Sequence, residues 1–344
     1  MEYRTLGGSG IQVSRYCLGA MMFGEFANPD HEDCVRICHA AFDGGVNFVD
    51  TADAYSRGES EEILAKAIAD RRDRIVVATK CFFPMGRDPN QRGGSRRWIF
   101  EAVEGSLRRL GTDYIDLYQL HRLDPDTDPE ETLSAMSDLV RQGKIRAYGT
   151  SATRAEQIVE CQWIAERRGL VRMRSEQPPY SIFTRGIETA VLPTCRRYGV
   201  GTLVWSPLNG GWLAGRYTRG APPPAESRAA KNFYIASWWD REREEVARKF
   251  DLLDALEIVA KDAGCSLTHL ALAFTTEHPG VTSSILGPRT REQADDLLAG
   301  LELRLPAHVL DRIDEIVPPG TDVDFSNTAP LNPDLTDAAK RRRP

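Results

Sequence analysis

The chain has 344 residues, 41% of them hydrophobic and 27% charged, with a formal net charge of −6. A chain of this size and composition buries a full globular core, and its mildly acidic balance excludes the basic face that nucleic-acid binding requires. The seven cysteines form no CxxC pair and no metal-ligand spacing, so they read as reduced, mostly buried thiols.

The N-terminal stretch MEYRTLGGSG lacks a charged-then-apolar leader pattern, and no apolar run approaches the roughly 18 residues of a membrane span. Tyr3–Leu6 and Ile11–Val13 flank a Gly-rich turn and read as a hairpin. A rhythm then sets in. Strand-like runs at Tyr16–Gly19, Val46–Asp50, Ile75–Thr79, Tyr114–Leu120, Ile145–Thr150, Val171–Ser175, Thr202–Trp205 and Ser283–Leu286 alternate with helical periods. The helices are expected over 31–44, 59–70, 95–110, 129–142, 153–168, 187–198, 240–263, 266–277 and 290–299. Alternation through short loops predicts βαβ units, and eight of them predict a closed (β/α)8 barrel. An open doubly wound sheet would want a GxGxxG turn after an early strand, and none occurs. The barrel domain is expected over residues 1–320, with the opening hairpin and extra C-terminal helices. Pro-rich residues 321–344, ending in Arg341–Arg343, read as an extended or partly disordered tail with a solvated charge run.

Active sites of such barrels lie at the C-terminal strand ends. There the chain places Asp50 with Tyr55 five residues on, then Lys80, His121, Ser151, Gln177, Trp205 with Ser206, and Gly287 with Arg289. Each alone has an ordinary explanation: a turn cap, a snorkelling lysine, a hydrogen-bonded histidine, a packed tyrosine. Together, an acid, a tyrosine, a lysine and a histidine suit carbonyl reduction. Hydride addition needs a proton at the carbonyl oxygen, and an unperturbed tyrosine, pKa about 10, is a poor donor. A Lys80 ammonium would favour the tyrosinate, Asp50 would hold Lys80 charged, and His121 would orient the substrate oxygen.

These residues lie in stretches that resemble the aldo-keto reductase family: Asn47–Tyr55 (NFVDTADAY), Gly58–Leu64 (GESEEIL), Ala78–Lys80, Leu107–His121 (LRRLGTDYIDLYQLH), Gly143–Ser151 (GKIRAYGTS), Glu176–Tyr180 (EQPPY), Trp205–Leu208 (WSPL) and Ile285–Arg291 (ILGPRTR). The resemblance runs from about Tyr3 to about Val317. It implies Asp50, Tyr55, Lys80 and His121 as a catalytic tetrad with Tyr55 as acid/base. It implies an NADPH cofactor: Ser151 and Gln177 on the nicotinamide carboxamide, Trp205 stacked on the ring, and Ser206, Leu208, Gly210, Arg216 and Arg228 along the pyrophosphate. Gly287, Arg289, Gln293 and Asp296 would hold the adenosine end, with Arg289 pairing to a 2′-phosphate and so favouring NADPH over NADH. Two positions depart from the family pattern, each removing a contact: Ala152, where Asn is usual beside the carboxamide, and Leu297, where Asn is frequent beside the adenine.

The resemblance is to the branch that also includes potassium-channel beta subunits and bacterial aldehyde and sugar reductases. The channel subunits commonly carry Asn where this chain has His121, so His121 argues for a working reductase over a slow, NADPH-binding redox-sensing partner protein. A barrel isomerase or lyase would leave Gln177 and Trp205 without a role. Candidate substrate walls are Met22, Phe23, Phe82, Phe83 and Met85, with Phe233, Tyr234, Trp238 and Trp239 from a long 206–239 loop that would close over the cofactor. The expected partner is a small-molecule carbonyl compound, with neither nucleic acid nor membrane, in the cytoplasm; homo-oligomer formation is left open.

Overall fold

The structure is a computed structural model that describes residues 1–225, 227, 230 and 243–324. It opens on an antiparallel hairpin, β1 (Tyr3–Thr5) with β2 (Gln12–Ser14). Eight parallel strands then close into a barrel: β3 (Tyr16–Gly19), β4 (Phe48–Asp50), β5 (Val76–Cys81), β6 (Ile115–Leu120), β7 (Ile145–Ser151), β8 (Ser175–Gln177), β9 (Gly201–Val204) and β10 (Ser283–Leu286). Closure comes from β10, which pairs with both β9 and β3. The (β/α)8 barrel with an N-terminal hairpin is therefore the fold that the alternating pattern predicts.

The surrounding helices are α1 (His31–Asp43), α2 (Glu59–Ile68), α3 (Arg96–Leu110), α4 (Pro129–Arg141), α5 (Ala155–Arg168), α6 (Val191–Tyr198), α7 (Glu244–Asp262), α8 (Leu267–Glu277), α9 (Arg291–Ala299) and α10 (Ala307–Ile316). Helix α3 shows the local logic. The Ser95 side chain accepts from Trp98 N and starts it, and Gly111 at φ 61° ends it. Between them Trp98, Ile99, Ala102, Val103, Leu107 and Leu110 recur at three- and four-residue steps and are buried against the sheet. No helix among the described residues is long and apolar enough to cross a membrane. All seven cysteines are free thiols, and six are buried.

Inside the barrel, Cys17, Phe48, Ala78, Leu117, Ala147, Leu203 and Ile285 form one apolar layer. Leu6 and Val13, fully buried beside the hairpin, belong to the same cluster. Side chains on a strand alternate between faces, so the residue two places further along each strand faces the barrel mouth. That register is what positions the site.

Two features differ from the sequence expectation. Strand β8 is Ser175–Gln177, not Val171–Ser175, because the barrel takes the buried polar triplet and leaves out Val171–Arg174, where Val and Met alternate with Arg. Helix α10, Ala307–Ile316, is one of the expected extra C-terminal helices, and the second difference lies in the residues that follow it. Beyond it, residues 321–324 return to the barrel. Val323 N donates to Phe183 O (2.9 Å), and Asp322 Oδ1 accepts from Gly186 N (2.8 Å). Asp324 Oδ2 accepts from Lys249 Nζ of α7 (2.9 Å), and both side chains are buried.

Candidate active site

Two residues past the apolar layer stand Gly19, Asp50, Lys80, Gln119, Gly149, Trp205 and Gly287, and two past Gln119 and Gly149 stand His121 and Ser151. A cleft of about 980 Å³ opens above them. Lys80 Nζ is fully buried, ion-paired to Asp50 Oδ1, and donates to Thr51 O (2.7 Å) and Tyr55 Oη (3.3 Å). Asp50 Oδ2 accepts from Gln119 Nε2 (3.0 Å) and Gln177 Nε2 (2.9 Å). Tyr55 is not on a strand. It begins a short 3-10 turn, Tyr55–Gly58, that carries its ring back over Lys80, whose Nζ lies 4.9 Å from the ring centre. His121 sits edge-on to Tyr55 (5.6 Å between ring centres) and to Phe83 (4.7 Å).

The electrostatics follow from burial. Desolvation pulls the Lys80 pKa down, but Asp50 and Tyr55 push it up by more, and the ammonium is held above its ordinary range. Burial, with the Lys80 and Arg122 charges beside it, pushes the His121 pKa well below the usual histidine range. Its imidazole is therefore neutral at neutral pH, and its buried Nδ1 has no hydrogen-bond partner among the described residues. The site thus presents a fixed cation behind a phenol and a neutral imidazole beside it.

From this catalytic end the cleft runs past Ser151, Gln177, Trp205, Ser206, Leu208, Gly210 and Arg216 to Gly287, Arg289, Gln293, Asp296 and Leu297. Ser151 Oγ and Trp205 Nε1 both donate to Gln177 O (2.9 and 3.1 Å), which fixes the indole beside the mouth. After β9, Ser206 (φ 57°), Asn209 (φ 49°), Gly210 (φ 69°) and Gly211 (φ 103°) are left-handed; turns of this kind aim backbone N–H groups into anion-binding concavities. Gln293 Oε1 accepts from Arg289 N (3.0 Å), holding that residue at the head of α9.

Of the expected substrate residues, Met22 and Phe83 line the cleft, while Phe23 is fully buried and neither it nor Phe82 is among the lining residues. Arg228, Phe233, Tyr234, Trp238 and Trp239 lie outside the described residues. Sequence reasoning missed Gln119, although its register was available, two places before His121 on the same strand. It also missed Phe26, whose exposed ring on the loop after β3 lines the cleft without any periodic signal. Glu176 was missed as a chemical group too. Buried between Thr150 Oγ1 (2.5 Å) and Thr153 N (2.9 Å), its carboxyl is pushed by desolvation up to about 7.

Ala152 takes a left-handed φ of 55° as the chain leaves β7. Asn tolerates that region far better than Ala, so Ala152→Asn is expected to stabilise the protein by about 0.5–1 kcal/mol. Chemical denaturation of the two proteins checks this.

Asp53 is a second buried acid. Its N–H donates to Lys80 O (3.1 Å), yet neither carboxylate oxygen has a partner among the described residues. Burial, reinforced by Glu61 and offset in part by Arg109, pushes its carboxyl up to about 8. Between the unfolded value near 4 and 8, the folded protein binds the extra proton, so this group removes stability as pH rises through that window. Asp53→Asn abolishes the titration. In urea unfolding from about pH 5 to about pH 8.5, the variant is expected to gain steadily on the parent. A constant gap would exclude Asp53 as the titrating group.

Comparison with known proteins agrees with this geometry. Residues 15–318 match the description "Aldo/keto reductase family". A probable voltage-gated potassium channel subunit beta of Oryza sativa subsp. japonica is 38% identical over 92% of this chain and 97% of its own. An uncharacterized oxidoreductase, YrpG, of Bacillus subtilis (strain 168) is 37% identical over 92% and 96%, and a putative aryl-alcohol dehydrogenase of Schizosaccharomyces pombe is 35% identical over 91% and 95%. With a closed eight-stranded barrel, an Asp–Lys–Tyr cluster at its mouth and matches across nearly its whole length, the chain belongs to the aldo/keto reductase family.

Proposed function

We propose that this protein reduces an aldehyde or ketone to the alcohol with NADPH, Tyr55 supplying the proton to the carbonyl oxygen. The observation that carries this reading is the Lys80 ammonium, locked by Asp50 and directed at Tyr55 Oη from below. As the proton leaves Tyr55 for the substrate oxygen, negative charge grows on the phenolic oxygen, and the preorganised Lys80 cation stabilises it. Neutral His121 gives the carbonyl oxygen a hydrogen bond and fixes its orientation without adding charge. Gln119 and Gln177 hold Asp50, and so hold Lys80 in register.

The cleft fits a dinucleotide. Its length joins the catalytic cluster to Arg289, its middle is the left-handed turn after β9, and Trp205 offers a ring face near the tetrad. When bound, the reduced nicotinamide supplies the hydride. Ser151, Gln177 and Trp205 would hold that end; Ser206, Leu208, Gly210 and Arg216 the pyrophosphate; Gly287, Arg289, Gln293 and Asp296 the adenosine, with Arg289 selecting the 2′-phosphate.

Relatives named as channel subunits support a second reading, a cofactor-binding regulatory partner with slow turnover. His121 favours the enzyme. The test is loss of reduced-nicotinamide absorbance with simple aldehydes, diketones and keto sugars, with NADH run alongside NADPH. Repeated turnover that prefers NADPH supports the reductase. Tight NADPH binding without turnover across the panel favours the regulatory reading.

A further inference from the structure

Ser56 follows Tyr55 directly, in a backbone that most side chains avoid. Ser56, Arg57 and Gly58 take left-handed φ values in succession, 46°, 54° and 98°. Non-glycine residues persist in that region only where surrounding contacts hold them.

Both hydrogen bonds of the Ser56 side chain go to one loop. Its Oγ donates to Phe23 O (2.9 Å) and accepts from Phe26 N (3.2 Å). One hydroxyl thus spends its donor and an acceptor on two backbone groups of the segment between β3 and α1. The packing is equally close: a Cβ at Gly24 would stand 2.8 Å from Ser56 Cβ and 2.5 Å from Glu59 Oε2. Glu59 adds a third tie, accepting from Glu25 N (2.7 Å) while its other oxygen meets His31 Nε2 (2.6 Å). At the far end of the same segment, Asn28 Nδ2 donates to Arg289 O (2.8 Å). Between these ties the segment places Met22 and Phe26 in the cleft wall, and Phe26 keeps 38% of its surface exposed.

We propose that Ser56 is a positioning residue: its hydroxyl latches the Met22–Phe26 wall to the turn that carries Tyr55, and so sets the site's reach for carbonyl compounds bearing an apolar group. This rests on the reading of the cleft as a carbonyl-reduction site. The wall and the proton donor are mounted on one rigid unit, so the distance from Tyr55 Oη to an aromatic substituent packed on Phe26 is fixed by Ser56. A purely local role in the turn would affect every substrate alike.

The test compares the parent with Ser56→Ala and Ser56→Gly. The glycine variant suits the left-handed backbone, so it loses the hydroxyl without adding strain. Steady-state kinetics with benzaldehyde and with propanal give the first readout. Loss of the two hydrogen bonds is expected to raise the KM for benzaldehyde about five- to tenfold more than that for propanal, while kcat for the two changes together. Hydrogen exchange at the Phe26 amide, measured without substrate, gives the second, and exchange is expected to quicken in both variants. Equal KM shifts for the two aldehydes would overturn the specificity role, and an unaltered Phe26 exchange rate in both variants would overturn the latch itself. If the parent turns over neither aldehyde, the reductase reading fails, and the exchange result still decides the latch.

Discussion

Tyr55→Phe is expected to lower the rate of carbonyl reduction by about 10²–10⁴-fold, the range that positioned general acids supply, while the protein folds and binds NADPH as before. The substitution removes one oxygen and leaves the ring. Lys80 loses its 3.3 Å contact with the phenol but keeps Asp50 and the Thr51 carbonyl, so its charge remains paired. The ring keeps its edge-on packing with His121. The substitution leaves every proposed cofactor-binding side chain in place, so cofactor affinity gives an internal control. Stopped assays alongside a fluorescence titration with NADPH separate the two effects. A variant with near-normal rate would remove Tyr55 from the mechanism; one that fails to bind NADPH would show that the fold had been disturbed.

Asp324→Ala is expected to destabilise the protein by about 3–5 kcal/mol, the cost of stranding one member of a buried ion pair. Lys249 and Asp324 are almost inaccessible, at 0% and 1% side-chain exposure. Burial, with the Arg243 charge nearby, holds the Lys249 pKa below its ordinary value even with Asp324 in place, so removing the carboxylate leaves an ammonium with little to hold it. Arg243, which also pairs with Asp324 (3.1 Å), is partly exposed and keeps access to solvent. The disturbance should reach the proposed cofactor cradle, since Lys249 Nζ also lies over the Trp212 ring (5.1 Å) and Trp212 is next but one to Gly210. Replacing both members with apolar residues of similar volume should recover much of the loss, because the desolvation cost then disappears with the attraction. Urea unfolding of the single and double variants measures this. A loss below about 1 kcal/mol for Asp324→Ala would place the pair in the class of solvated surface bridges.

How much of this was legible in the sequence depends on the physical signal each residue carries. Asp50, Lys80, His121 and Ser151 end strands whose apolar runs are plain, so counting in twos past Phe48, Ala78, Leu117 and Ala147 reaches the mouth of the barrel. The same count reaches Gln119, which went unnoticed because a single glutamine inside an apolar run looks like an interruption. Tyr55 has no period to follow; it lies in a turn five residues past Asp50, and it was marked by the company of an acid, a lysine and a histidine and by its place in a family motif. Strand β8 was displaced because hydrophobicity marks strands packed on apolar surroundings, whereas Ser175, Glu176 and Gln177 are buried among polar partners. Lys249 and Asp324 are 75 positions apart. A lysine on a helix and an aspartate near a terminus read as solvated until the fold brings them together.

The reductase reading places Tyr55, backed by Lys80, as the proton donor for carbonyl reduction. The most direct measurement loads the parent and Tyr55→Phe with NADPH, mixes each rapidly with an aromatic aldehyde, and follows oxidation of the bound cofactor. Rapid oxidation that continues over many turnovers is expected in the parent, and oxidation slower by about 10²–10⁴-fold in the variant. Bound NADPH oxidised equally slowly in both proteins would contradict this reading.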